Sequence, residues 1–121
     1  MPGGATFLLC HGPERFGLAR QACEAEGAML ASIRSQAEQD FVTTAAFALR
    51  RTRWYLGALD WPDEGEFRWL DESPFEFSIW AEGEPNNHAN AEDCVVFGHR
   101  GAPEWNDVYC GVYTSFVCRL P

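Results

Sequence analysis

The amino-acid sequence predicts an α+β fold in which two helices flank antiparallel sheets. Two segments with helical spacing lie in the first half of the chain, at 14–27 and 35–51. Short apolar runs that suit strands dominate the second half, and strands grouped after two helices favour an antiparallel sheet. A chain of 121 residues can bury one core, so we expect residues 1–121 to form a single domain.

The first third of the chain predicts a strand, a helix and a second strand. Residues 6–10 (TFLLC) suit a strand, and residues 28–33 suit a short strand or extended run. The intervening helix places Phe16, Ala19, Ala22 and Cys23 at helical spacing. It should end at Gly27, because glycine tolerates the left-handed conformation that commonly closes a helix.

The second helix has a defined N-terminal signal. Ser35 followed by Glu38 matches a capping box, in which each residue satisfies backbone N–H groups at the helix start. The helix should continue to about residue 49 or 51. We expect Phe41, Ala45 and Ala48 to lie on one of its faces.

The second half of the chain contains most of the strands and one long loop region. Strands are predicted at 54–59, 67–71, 93–98 and 114–120. Between residues 60 and 93 only the short 67–71 segment interrupts a stretch dense in turn residues. Four aromatic residues there could pack it onto the body of the domain: Trp61, Phe75, Phe77 and Trp80. A long loop that is packed in this way is more typical of function than of disorder.

Composition excludes several classes of protein. The net charge is -9, which argues against nucleic-acid binding. Thirteen of the eighteen acidic residues fall between Asp60 and Asp107, where they could hold a hard cation or form a solvated surface. The longest apolar runs are far too short to cross a bilayer, so membrane insertion is not expected.

The five cysteines indicate an oxidising compartment. Four of them would suffice for two disulfides in a small domain, and the sequence alone leaves three pairings for any four cysteines. No C-x-x-C pair or Cys/His spacing suggests zinc. The first residues do not resemble a secretory leader, so a secreted or extracellular location, with a cell-surface domain as one form of it, is expected from the cysteines rather than from a signal.

Oxygen donors are concentrated in two short stretches, EGEPNNHANAEDC (82–94) and EWNDVYC (104–110). Their carboxylate and amide side chains are those of Glu84, Asn86, Glu92, Asn106 and Asp107. Ca²⁺ takes six to eight oxygen ligands of this kind, whereas zinc and copper prefer softer ones. The pattern predicts a calcium site in an irregular loop.

Six segments in order resemble a C-type lectin-like domain over nearly the whole chain. They are ARQACEAEGAMLASIRSQAEQDF, WYLGAL, FRWLDESPFEFSIWAEGEPNN, EDCVVF, WNDVYC and FVCRLP. The resemblance implies disulfides Cys23–Cys118 and Cys94–Cys110, the second clamping two strands that flank a Trp-Asn-Asp loop. These pairings leave Cys10 without a partner in the chain, so it is either a free thiol in the first strand or disulfide-bonded to another chain.

The resemblance also assigns the oxygen donors to two calcium sites. Glu84, Asn86, Glu92, Asn106 and Asp107 would form the principal site and would bind the sugar as well. An auxiliary site would use residues at the loop ends and beside the motif: Asp60, Glu64, Asn87, Glu92 and Asp93. His88 is either a further sugar contact or a surface residue, while Trp54, Trp69, Trp80 and Trp105 are expected in the core.

By resemblance, the order Glu-Pro-Asn implies binding of sugars with equatorial 3- and 4-hydroxyls, such as mannose, N-acetylglucosamine, glucose or fucose. The expected partners are therefore glycans with terminal mannose-type sugars, bound by a multimer or by one part of a larger protein. The alternative is a calcium-binding module of the same fold that recognises protein, ice or mineral surfaces. No catalytic arrangement is visible, so an enzyme is not expected.

Overall fold

The computed structural model describes residues 4–60, 66–84 and 93–121. In chain order its elements are β1 (Phe7–Glu14), α1 (Phe16–Ala25), β2 (Met29–Leu30), α2 (Gln36–Leu49), β3 (Trp54–Leu59), β4 (Arg68–Trp69), β5 (Cys94–Phe97), β6 (Trp105–Val108) and β7 (Thr114–Arg119). A short 3₁₀ turn, His99–Gly101, lies between β5 and β6. No helix in these ranges is long and apolar enough to cross a membrane.

The strands form one mixed sheet, and the predicted α+β class is confirmed. The strand order is β1-β7-β3-β5-β6, with β2 added on β7 and β4 on β3. Every pairing is antiparallel except that of β3 with β7, which is parallel. The sheet thus departs from the expected purely antiparallel arrangement in one central pair.

Helix α1 ends as predicted. The N–H groups of Gly27 and Ala28 donate to the carbonyls of Glu24 (3.0 Å) and Cys23 (2.9 Å), and Gly27 has a φ of +71°. This is the Schellman arrangement that glycine favours. Phe16, Ala19 and Cys23 are buried, but Ala22 faces solvent.

Helix α2 begins as predicted but buries a different face. The Ser35 hydroxyl accepts the N–H of Glu38 at 3.2 Å, while the Glu38 carboxylate accepts the N–H of Arg34 at 2.8 Å rather than that of the cap itself. The buried residues are Glu38, Gln39, Val42 and Ala46. Phe41, Ala45 and Ala48 share one face of the helix as predicted, but that face is half-buried or exposed, and the buried face carries the polar residues Glu38 and Gln39.

Two disulfides hold the chain across the sheet. Cys23 joins Cys118 and Cys94 joins Cys110, with Cα–Cα distances of 5.5 and 5.3 Å. Both implied pairings are therefore present. Cys10 is a free, half-buried thiol in β1, and burial, helped by the charge of Glu26, raises its pKa.

The described part of the long loop packs onto the core through alternate residues. Phe75, Phe77 and Ile79 face inward, while Pro74, Glu76 and Ser78 are exposed. Trp105 in β6 lies at the centre of this packing, with ring centroids 5.5–6.1 Å from those of Trp69, Phe75, Phe77 and Trp80. Of the four aromatics expected to anchor the loop, three contact the core, and Trp61 lies outside the described residues.

The beginning of the same loop is attached through Asp71. Its carboxylate accepts hydrogen bonds from the Ser32 hydroxyl (2.6 Å), Arg34 Nη2 (3.0 Å) and the N–H of Ser73 (3.0 Å). Burial by itself raises the pKa of Asp71, but these hydrogen bonds together lower it to about 2. Asp71 is therefore ionised at any physiological pH.

Candidate functional site: the carboxylate and amide groups around β6

The candidate site is built on β6, which the sequence did not predict as a strand. The predicted Trp-Asn-Asp loop is wrong, since residues Trp105–Val108 pair with β5 in antiparallel register. Alternation along the strand buries Trp105 and Asp107 and leaves Asn106 half-buried on the other face. The Trp105 indole N–H donates to the Gln39 side-chain oxygen at 2.8 Å in the core. That bond fixes the strand from which Asn106 projects.

Glu84 reaches β6 because the end of the loop pairs with the edge of that strand. Trp105 N–H donates to the Ile79 carbonyl (2.8 Å), and Ala81 N–H donates to the Trp105 carbonyl (2.9 Å). A turn follows, in which Glu84 N–H donates to the Ala81 carbonyl at 2.9 Å. The Asp107 N–H then donates to Glu84 Oε1 at 3.4 Å, a long bond that places this carboxylate beside β6.

Glu84 and Asn106 line one shallow cavity of about 380 Å³. Its other lining residues are Ala81, Glu82, His99, Arg100 and Ala102. A carboxylate that only accepts hydrogen bonds and an amide that both donates and accepts them therefore face the same space. That pair can serve a hydroxyl-bearing ligand or share a hard cation.

Asp60 and Asp93 form a second acidic pair at the two ends of the loop region. The Asp60 N–H donates to the Asp93 carbonyl at 3.2 Å, and the Asp60 side chain is 1 % exposed. Asp93 Oδ1 is buried and accepts no hydrogen bond from the described residues. A buried carboxylate oxygen in this state is costly unless a cation or donor reaches it, and hard oxygens of this kind suit Ca²⁺.

The back of the site is held rigid by the Cys94–Cys110 disulfide and by Tyr55. Cys94 begins β5, and Cys110 follows β6. The Tyr55 hydroxyl donates toward the carbonyls of Val112 (2.6 Å) and Cys110 (3.1 Å). Burial raises the pKa of Tyr55 to about 12, so the hydroxyl keeps its proton and remains a donor.

Comparison with known proteins decides the family. Residues 13–120 match the family model of the lectin C-type domain.

The chain belongs to the C-type lectin domain family.

Its relatives are named as lectins and receptors. It is 41 % identical over 109 residues to the mouse low affinity immunoglobulin epsilon Fc receptor, covering 89 % of this chain and 31 % of the receptor. It is 39 % identical over 105 residues to the Gallus gallus hepatic lectin, covering 85 % and 48 %. It is 35 % identical over 118 residues to the galactose-specific lectin nattectin of Thalassophryne nattereri, covering 96 % and 74 %. The chain thus spans a third to a half of the first two relatives.

Solved structures agree with the C-type lectin fold. The carbohydrate-recognition domain of cow CD23, crystallised in the presence of a GlcNAc2Man3 oligosaccharide, has a TM-score of 0.86 at 34 % identity and covers 98 % of this chain and 94 % of that one. The herring type II antifreeze protein has a TM-score of 0.88 at 27 % identity and covers 100 % and 94 %. The same fold therefore occurs in proteins named for different ligands.

The lectin domain brings some of the predicted ligands together. Glu84, Asn106 and Asp107 meet at β6, and Asp60 meets Asp93 at the loop ends. The other predicted ligands and the sugar-contact candidate lie outside the described residues: Glu64, Asn86, Asn87, His88 and Glu92. Within ranges 4–60, 66–84 and 93–121, no three His, Cys, Asp or Glu side chains converge as a metal-binding group.

Sequence reasoning missed three contributors to the site. Gln39 in helix α2 accepts the hydrogen bond from the Trp105 indole. The only sequence signal for this role was the position of Gln39, a polar residue directly after the Ser35–Glu38 cap motif. His99 and Arg100 line the cavity beside Asn106. The Gly-His-Arg-Gly run (98–101) marked a turn there, but nothing in the sequence indicated that the turn reaches the candidate ligands.

Proposed function

We propose that this C-type lectin domain binds carbohydrate in a calcium-dependent manner and prefers sugars with equatorial 3- and 4-hydroxyls. The observation that carries the proposal is the meeting of Glu84 with Asn106 at one cavity, although the two residues are 22 positions apart in the chain; the neighbouring Asp107 N–H donates to Glu84. Such a grouping of acids and an amide in a shallow, open position suits a hydroxyl-rich ligand.

The principal calcium would be held by Glu84, Asn86, Glu92, Asn106 and Asp107, all hard oxygen donors. When bound, the ion would supply coordination positions that two neighbouring sugar hydroxyls can share. Each hydroxyl would donate its proton to a carboxylate and accept a hydrogen bond from an amide N–H. In this arrangement Glu84 serves one hydroxyl with Asn86, and Glu92 serves the other with Asn106.

An auxiliary calcium would be held by Asp60, Glu64, Asn87, Glu92 and Asp93. The buried, unsatisfied Asp93 Oδ1 supports this assignment, because a cation would remove its desolvation cost. Asn87 contributes no charge, so this site should be the weaker of the two.

The choice of sugar class rests on the order of donors and acceptors in the Glu84–Asn86 motif. Relatives alone do not decide it, since nattectin is named as galactose-specific while the cow CD23 domain was crystallised with a mannose-containing oligosaccharide. By resemblance, the order acid–proline–amide goes with mannose-type sugars. A single shallow site should bind one sugar with a Kd on the order of millimolar, so useful affinity requires several copies.

The decisive experiment is a glycan array with and without a calcium chelator. The wild-type domain should retain mannose- and N-acetylglucosamine-terminated glycans only with calcium. Exchanging Glu84→Gln with Asn86→Asp should move binding toward galactose, because it reverses the order of acceptor and donor. Glu76→Gln is the matched control, since Glu76 is exposed on the same loop, does not line this cavity and should leave sugar preference unchanged.

Two results would refute the proposal. One is a calcium-saturated domain that ignores every mannose- or glucose-configured sugar at high density. The other is unchanged mannose preference after the Glu84 and Asn86 exchange, which would show that donor order does not select the sugar.

The second candidate function is recognition of a protein, ice or mineral surface by a calcium-loaded module. The similarity to the herring antifreeze protein is the specific observation that favours it. Inhibition of ice recrystallisation that requires calcium, together with a blank glycan array, would establish the ice-binding form of this alternative.

The expected location of the domain is outside the cell. Two disulfides and the receptor and lectin relatives support a secreted or extracellular setting. The proposal involves no chemical step on the sugar.

A further inference from the structure

A second cavity, of about 550 Å³, is lined by a concentration of positive charge. Its lining includes Arg51, Arg53 and Arg100 together with His99. The protein has only nine basic residues against eighteen acids, so one third of its cationic side chains meet at this one place. In an acidic protein such a concentration needs a physical reason.

The turn that carries Arg100 holds it in an unusual backbone conformation. Arg100 has a φ of +57° between Gly98 (+91°) and Gly101 (+77°), and the N–H of Gly98 donates to the Ala102 carbonyl at 2.8 Å. A non-glycine residue in the left-handed region carries a steric cost, because its Cβ crowds the backbone. A glycine at position 100 would avoid that cost, so the arginine side chain is the feature that the turn retains.

A neighbouring arginine secures the same turn. Arg51 Nη2 donates to the Gly101 carbonyl at 3.1 Å, and its guanidinium lies over the Phe47 ring at 5.2 Å. The Cβ of any residue other than glycine at 98 would collide with the Thr52 carbonyl. The wall of this cavity is thus fixed by the Arg51 side chain at Gly101 and by the close approach of Gly98 to the Thr52 carbonyl.

The charge of the cavity is not neutralised within the described structure. Ion pairs between residues of ranges 4–60, 66–84 and 93–121 involve Arg20, Arg34, Arg68 and Arg119. Arg51, Arg53 and Arg100 make none there. Three arginines line one open space without carboxylate partners in the described part, and such a site favours an anion.

This cationic cavity adjoins the candidate sugar cavity. His99 and Arg100 line both, while Glu84 and Asn106 line only the latter. A ligand held at Glu84 and Asn106 would therefore have His99 and Arg100 beside it, and a further group of the same ligand could reach Arg51 or Arg53.

We propose that the cavity of Arg51, Arg53 and Arg100 binds a sulfate or phosphate ester carried by a glycan whose neighbouring sugar occupies the site at Glu84 and Asn106. This inference rests on the proposed carbohydrate-binding function. The chemistry recognised is a tetrahedral oxyanion, because several guanidinium groups can each donate hydrogen bonds to its oxygens. The domain would then recognise two features of one glycan, a neutral sugar bound through calcium and a charged substituent bound by the arginines.

The test compares matched glycans that differ only in one ester. Arrays would present mannose-type glycans in neutral, sulfated and phosphorylated forms at saturating calcium. The site variant is Arg53→Gln with Arg100→Asn, since asparagine tolerates the left-handed conformation. The control is Arg15→Gln with Arg20→Gln, which removes two exposed arginines near and within α1 and so changes the net charge equally.

The wild type should bind one of the esterified glycans about threefold to tenfold more tightly than its neutral partner, the range expected for partly exposed charge-assisted contacts. The site variant should lose this gain and keep neutral binding, while the control keeps both. Comparison of the sulfated with the phosphorylated glycans identifies which ester the cavity binds. Equal binding of esterified and neutral glycans by the wild type overturns the inference.

A second measurement separates this inference from the proposed function. Inorganic sulfate is titrated into the chelator-treated wild type and both variants while backbone amide NMR signals of residues 98–101 are followed. Saturable shifts in the wild type and control, but not in the site variant, support the anion site even if no neutral sugar is bound. Absence of such shifts in the wild type contradicts the anion site, whatever the sugar arrays show.

Discussion

Replacing Arg119 by methionine should destabilise the domain by about 3 kcal/mol, because the Glu38 carboxylate would stay buried without its cation. The two side chains form a bidentate pair, with Arg119 Nη1 2.8 Å from Glu38 Oε1 and Nη2 3.1 Å from Oε2. Glu38 is 5 % exposed. The pair connects the first turn of α2 to the last residue of β7, so it joins a helix to the sheet.

The magnitude follows from what remains after the change. Removing one partner of a buried ion pair costs roughly 3–5 kcal/mol. Here the Arg34 N–H would still donate to Glu38 at 2.8 Å, which places the expected loss at the lower end. The Ser32 carbonyl also loses its bond from Arg119 Nη1 at 3.0 Å. Methionine would keep much of the apolar packing of the arginine stem.

The dependence on pH gives the prediction a distinctive signature. Burial raises the pKa of Glu38, but the hydrogen bonds from Arg119 and Arg34 outweigh it, and the net pKa lies below the ordinary 4.5. A depressed folded pKa means that the stabilisation is present above pH 4.5 and is lost as pH falls through the folded value. The cost of Arg119→Met should therefore be largest near neutrality and shrink below pH 4.5.

The assay is urea unfolding with the disulfides intact, at pH 7 and pH 3.5. Arg20→Met is the control, because Arg20 pairs with Glu24 at 3.6 Å on an exposed helix face and should lose less than about 0.5 kcal/mol. Combining Arg119→Met with Glu38→Met should recover most of the loss. The reasoning is refuted if Arg119→Met costs no more than Arg20→Met at pH 7, or if its cost grows at pH 3.5.

Three further predictions concern acid stability, backbone contact and ligand release. Asp71→Asn should cost about 1 kcal/mol at pH 7, a value discounted from the pKa shift because the side chain of its partner Arg34 is 47 % exposed and screened by solvent. This cost should vanish as pH falls from about 4 to about 2, and acid-unfolding curves would show it. Gly57→Ala should destabilise the domain by about 2 kcal/mol or more, since the new Cβ would collide with the Leu30 carbonyl. A thermal unfolding scan checks this, with Gly12→Ala as the control because a Cβ at position 12 contacts no other atom of the described residues. Retention on mannose resin should fall as pH drops toward about 5 and below, because calcium needs ionised carboxylates. Unchanged retention in mildly acidic buffer would contradict that last prediction.

Much of the fold could be predicted because its signals are local. The cap at Ser35 and the left-handed closure at Gly27 are decided by a few neighbouring residues, and both occur where expected. The strand Trp54–Leu59 has the bounds that its apolar run indicated. The disulfide pairings could be predicted only through the resemblance, since spacing alone left several open.

The errors lie where distant contacts override local preference. Asn106 and Asp107 disfavour a strand, yet β5 on one side and the segment at Ile79 and Ala81 on the other supply hydrogen bonds that make one. The buried face of α2 includes Glu38, whose partner lies eighty-one residues later in the chain, so local spacing did not identify that face. No short window contains that information.

The candidate site shows the same division. The type and order of its oxygen donors, Glu84 to Glu92 and Asn106 to Asp107, are properties of the sequence by itself, and so is the class of cation they suit. Only the tertiary structure decided that Glu84 meets β6, that β3 runs parallel to β7, and that the arginine-lined turn adjoins the same cavity. The physical reason is that donor chemistry belongs to single side chains, whereas convergence depends on strand pairing and packing between segments far apart in the chain.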